Sequence, residues 1–140
     1  MSRSYLATEA NFRTLKEMEV NNLVVPLVGD FAGPKAIKAV GEYLKERKAT
    51  VTAFYLSNVE PFLFQQNDDW RKFFTNVGTL PLDSSSTFIR SVFNGSGFVR
   101  GPNFSSYIRN QQLLASMLDQ VKAFNDGKVL YYNDVIQTSR

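Results

Sequence analysis

Three polar clusters in this chain have the types and spacing to hold a ligand, and each stands where an apolar run ends. Asp30 follows Leu23-Val24-Val25-Pro26-Leu27-Val28-Gly29 and precedes Phe31-Ala32-Gly33-Pro34. Ser57 and Asn58 follow the run beginning at Thr50-Val51. Asp83 leads Ser84-Ser85-Ser86-Thr87, with Arg90 close behind. A carboxylate at a strand end can take a hydroxyl, an amine or a proton. Hydroxyls and amides beside a guanidinium can hold a carboxylate or a phosphate.

Each cluster has a structural role as its competitor. Asp30 can instead close a turn, accepting from amides near Gly33, and the two roles are evenly matched. Ser57 or Asn58 can cap a helix containing Val59-Glu60, the stronger of their two readings. Asp83–Thr87 can be a capped helix start with Arg90 on the surface, again slightly favoured. The ligand-contact set is therefore Asp30, Ser57, Asn58, Asp83, Thr87 and Arg90. No catalytic base is assigned, and Asp30 would serve only if burial moved its pKa.

What the composition lacks narrows the chemistry. Cys and His are both absent, which excludes disulfides, thiolate nucleophiles, Ser-His-Asp catalysis and ordinary zinc sites within one chain. Phe31-Ala32-Gly33-Pro34 is not a phosphate loop, and no Gly-x-Gly-x-x-Gly follows a strand. A net charge of +3 is mild, and the lysines of residues 35–48 are interleaved with Glu42 and Glu46. That pattern describes a solvated helix face and argues against a nucleic-acid footprint. No apolar run approaches the roughly 20 residues that span a bilayer. The N-terminus shows no signal-peptide core, so a cytoplasmic location is the default expectation.

These side chains must be positioned by alternating elements. Thr8 can cap a helix to about Glu19, with Phe12, Leu15 and Met18 on one side. Leu23–Val28 reads as a strand, with Pro26 forcing an edge position or a bulge. Pro34–Arg47 reads as a helix whose stripe includes Ile37, Val40, Gly41 and Leu44, with Gly41 permitting close approach. Thr50–Tyr55 is a β-branched and aromatic strand. Two helical pieces follow, at about Val59–Phe64 and Asp68–Asn76, the second burying Trp70, Phe73 and Phe74. The aromatics from Phe54 to Phe74 read as core rather than as a base-stacking platform. A short strand is expected at Thr79–Leu82, and Phe88–Phe93 fits either helix or strand. Asn94–Asn103 holds three glycines and reads as a loop or lid. Ser105 or Ser106 would cap the longest helix, running to about Asn125 and ended by Asp126-Gly127. Lys128–Tyr132 reads as a last strand, with Asp134–Gln137 a terminal turn. The alternation predicts one α/β domain over residues 1–140, with a mostly parallel sheet flanked by helices and tending to three layers.

The segments Val25–Pro34 (VPLVGDFAGP), Val51–Glu60 (VTAFYLSNVE) and Leu80–Phe93 (LPLDSSSTFIRSVF), with Tyr131–Ile136 at the close, carry a resemblance. They resemble the C-terminal half of a bacterial Rossmann-like family related in fold to S-adenosylmethionine-dependent methyltransferases. The resemblance implies a partial Rossmann-like fold in which Asp30, Ser57, Asn58 and Asp83 line a carboxyl-end crevice. It implies no cofactor for this chain alone, with S-adenosylmethionine the cofactor class of an intact member. The glycine-bearing first strand and turn of that family have no counterpart here. The chain therefore looks like the second half of such a fold, with a strand edge exposed. Two roles follow as expectations: one wall of a small-molecule crevice, or a non-enzymatic module that pairs through its sheet edge. The partner would be a second copy of the chain or a complementary N-terminal half.

Overall fold

Strands form only where a second strand completes their ladder, and that condition separates the apolar runs of this chain. The structure, a computed structural model, describes Ser4, residues 6–94 and residues 109–139. In chain order its elements are α1 (Glu9–Val20), α2 (Ala36–Glu46), β1 (Ala53–Ser57), α3 (Glu60–Gln65), α4 (Asp69–Val77), β2 (Thr87–Asn94), β3 (Arg109–Ser116), α5 (Met117–Asn125) and α6 (Tyr132–Gln137). The sheet has the order β1-β2-β3. β1 runs parallel to β2, with Ala53 opposite Thr87, and β2 runs antiparallel to β3, with Phe88 opposite Ala115. The α/β class is as expected. The sheet, however, is mixed rather than mostly parallel.

Alternation along the strands sorts the two faces of the sheet. Leu56, Phe88, Arg90, Leu113 and Ala115 are buried, with Phe54 half-buried beside them. Phe73 of α4 is fully buried against Phe54 and Phe88, at ring separations of 6.2 and 6.3 Å. Phe124 of α5 stacks on Phe74 at 5.4 Å, and Phe64 of α3 stacks on Trp70 at 5.0 Å. Each buried aromatic of this kind contributes on the order of 1.5–3 kcal/mol through area removed from water. α2 packs beside α4, and α6 beside α3, on this same side. The opposite face carries Tyr55 and Leu114, both exposed, and no helix among the described residues covers it. Two layers replace the expected three-layer tendency.

The helices agree closely with the sequence. Thr8 caps α1 through Thr8 Oγ1, which accepts from Asn11 N at 3.2 Å. Asn22 takes a left-handed φ of 54° and ends it. α2 meets the following chain at Gly41, where a Cβ would lie 3.2 Å from the Thr79 carbonyl. Phe88–Phe93, open between two readings, is strand.

Four expectations are corrected. Leu23–Val28 forms no strand: it is extended and exposed throughout, because among the described residues no second strand lies along it. Thr79–Leu82 is likewise not a strand, although Pro81 O accepts from Val51 N at 3.0 Å. Residues 109–116 are strand rather than part of a long helix, so α5 starts at Met117 with Ser116 Oγ capping Asp119 N at 3.2 Å. Lys128–Tyr131 is irregular, and Tyr132 opens α6 where a terminal turn was expected. The expected cap at Ser105 or Ser106 and the loop from Gly95 to Asn103 lie outside the described residues. No helix among those described is long and apolar enough to cross a membrane.

Candidate functional site

The six expected ligand contacts do not converge. Because β1 and β2 are parallel and Ala53 faces Thr87, Thr87 and Asp83 sit at the amino end of the pair. Ser57 and Asn58 sit at the carboxyl end. Asp83, expected in a carboxyl-end crevice, is therefore at the opposite end. Its carboxylate accepts from Ser85 N at 2.8 Å and Ser85 Oγ at 2.6 Å. These bonds, led by the hydroxyl, hold its pKa below the ordinary value. Thr87 Oγ1 donates to Ser85 O at 2.9 Å. The segment is a self-satisfied turn into β2 rather than a helix start.

Ser57 has a φ of 50° just after a bulge at Leu56, and its hydroxyl donates to Asn58 Oδ1 at 3.5 Å. Neither residue caps α3, whose first position follows Val59 with no side-chain cap. Asp30 is exposed, and its Oδ1 accepts from Ala32 N at 2.9 Å while its carbonyl accepts from Gly33 N at 3.1 Å. That is the turn role, and the exposure removes the burial a base would need.

Arg90 is the largest departure. It is fully buried, and its Nε and Nη2 donate to Glu60 Oε2 and Oε1 at 2.5 and 3.1 Å. Nη1 donates to Ser139 Oγ at 3.1 Å, and the guanidinium lies 4.8 Å from the Phe88 ring centre. A guanidinium so occupied ties α3, β2 and the C-terminal segment together. Glu60 escaped the sequence reading, which took it only as part of a capped helix start. A signal was present in β2, since Arg90 shares strand parity with the core residue Phe88.

The open surface lies elsewhere, along the outer edge of β1. Thr52 O accepts from Thr87 N at 3.0 Å, so by alternation the backbone groups of Ala53 and Tyr55 point away from β2. Beside them a groove of about 930 Å³ runs between β1, α2 and residues 27–34. Its walls are largely apolar, with Leu27, Val28, Ile37, Val40, Val51 and Leu80, and Asp30 and Lys35 stand among its few charged residues. On the uncovered face next to it, one polar residue from each strand forms a row. Tyr55 Oη lies 3.3 Å from Ser91 Oγ, to which Gln112 Nε2 donates at 2.8 Å. The Ser91 hydroxyl, with that of Ser57, lowers the Tyr55 pKa from its ordinary value.

No curated protein matches this sequence. A family model does, over residues 1–138, and its description is a domain of unknown function, DUF7790. The chain thus belongs to the DUF7790 family.

Proposed function

We propose that this chain is a binding module rather than an enzyme, and that its β1 edge with the adjoining groove accepts an extended polypeptide strand. The observation that carries the reading is an unpaired sheet edge beside an apolar groove: Ala53 and Tyr55 direct backbone donors and acceptors outward within reach of the groove's apolar side chains. Strand addition of this kind draws affinity from main-chain hydrogen bonds and selectivity from pockets for alternate side chains. The groove supplies such pockets for apolar residues. The polar residues once expected to form a small-molecule crevice are spread over both ends of the strands or spent on turns and a buried ion pair.

The test is binding of a fluorescently labelled alternating Thr-Val hexapeptide to the full chain, followed by anisotropy. Saturable binding is expected, weakened by about a hundredfold or more in Ala53→Pro. Proline is tolerated on an edge strand when its missing N–H faces outward, so this variant keeps the β1–β2 ladder. Absence of peptide binding, together with saturable calorimetric binding of S-adenosylmethionine, would overturn the reading in favour of a methyltransferase-type crevice.

A further inference from the structure

The chain contains an unpartnered strand as well as an unpartnered edge. Leu23, Val24, Val25, Leu27 and Val28 are all exposed, and Val28 is fully so. α1, which precedes them, buries no residue and leaves Phe12 and Met18 exposed. Residues 6–28 thus form an arm with apolar character and no packing against the body. Its root is fixed. Asn76 Nδ2 donates to Phe31 O at 3.0 Å and Gly33 O at 2.8 Å, and Phe31 packs on Phe54 and Phe73. Gly29 presses against Ala36 so closely that any Cβ would overlap the Ala36 Cβ.

We infer that the occupant of the β1 edge is the Leu23–Val28 arm of a second copy of this chain, exchanged reciprocally in a twofold dimer; the inference rests on the strand-addition reading above. The lengths agree, a six-residue arm for a five-residue strand. The chemistry agrees too, because the groove beside β1 is apolar and the arm is apolar. Folding the arm back onto its own β1 would require reversing the chain at Val28–Gly29, where the contact of Gly29 with Ala36 fixes the backbone. A partner's arm arrives without disturbing that root. Pro26 then acquires a use. In an added edge strand its missing donor can face solvent, which blocks pairing with any further strand and keeps the assembly closed. The same arm carries α1, whose Phe12 and Met18 match in chemistry the uncovered sheet face bearing Tyr55 and Leu114.

The experiment is sedimentation velocity on three full-length chains: wild type, Ala53→Pro as an edge-blocked form, and Val25→Asp with Leu27→Asp as an arm-blocked form. Wild type is expected to be a dimer, with its dissociation constant weakened by about a hundredfold or more in each variant. Mixing the two variants is expected to restore a heterodimer through one intact arm and one intact edge. Circular dichroism on each variant establishes that it is folded, and a variant that fails to fold is replaced by Tyr55→Pro or Val25→Lys. A monomeric wild type whose Ala53 and Tyr55 amides exchange freely would overturn the exchange while leaving strand addition standing. A monomeric wild type with those amides protected at every dilution would overturn both, since the edge would be covered within one chain. A wild-type dimer that persists undiminished in both variants would overturn the exchange by locating the interface elsewhere.

Discussion

Glu60 and Arg90 meet inside the helix-facing side of the sheet as a two-pronged ion pair, with Nε–Oε2 at 2.5 Å and Nη2–Oε1 at 3.1 Å. The pair joins the start of α3 to the middle of β2, thirty residues apart in sequence. It fixes the helix that follows β1, and so holds the exposed strand edge in place from behind.

Removing one partner leaves the other charged and buried. Arg90→Met or Glu60→Gln is therefore expected to destabilise the fold by about 3–5 kcal/mol, whereas the double variant Glu60→Met with Arg90→Met recovers most of that loss. Urea unfolding of the four proteins measures the coupling. Equal losses that simply add would show that the pair does not act as a unit.

The arm's root rests on Gly29. Gly29→Ala places a methyl group into Ala36, at an overpacking cost of about 1–3 kcal/mol. In an Ala36→Gly background the space exists, so the same substitution is expected to cost less there. Thermal denaturation of the four chains checks this sign.

Acid sensitivity follows from two carboxylates. Backbone N–H groups of Leu130 and Tyr131 lower the Asp134 pKa, and the Ser85 hydroxyl and amide lower that of Asp83. A lowered folded pKa means stability that is present above about pH 4 and lost as pH falls through the folded value. Glu60 works in the other direction. Burial raises its pKa more than Arg90 lowers it, so its contribution is present in acid and lost as pH rises through the folded value. Melting temperatures of wild type and Asp134→Asn between roughly pH 2 and pH 5 are expected to show a flatter acid limb in the variant.

The parts legible in the sequence are those decided locally. Thr8 announces α1 by its hydroxyl, and α2 and α4 are written in the spacing of Ile37, Gly41 and Leu44 and of Trp70, Phe73 and Phe74. The parts that were not legible depend on a neighbour. Leu23–Val28 has the composition of a strand, yet a strand's backbone is satisfied only by another strand, and none of the described residues supplies it. Residues 109–116 failed in the opposite sense. Gln111, Gln112, Leu113 and Leu114 are good helix formers, but pairing with β2 overrides that preference. At the candidate site, Asp30 was correctly placed beside a crevice, whereas the partner of Arg90 depended on α3 folding back over the sheet.

The most direct measurement of the open edge is residue-resolved amide hydrogen exchange across β1 in the arm-blocked chain, with and without the Thr-Val hexapeptide. The account predicts fast exchange at Ala53 and Tyr55, slow exchange at Phe54, and slowing of Ala53 and Tyr55 alone when peptide is added. Protection of Ala53 and Tyr55 before any peptide is present, or exchange there that peptide leaves unchanged, would contradict it.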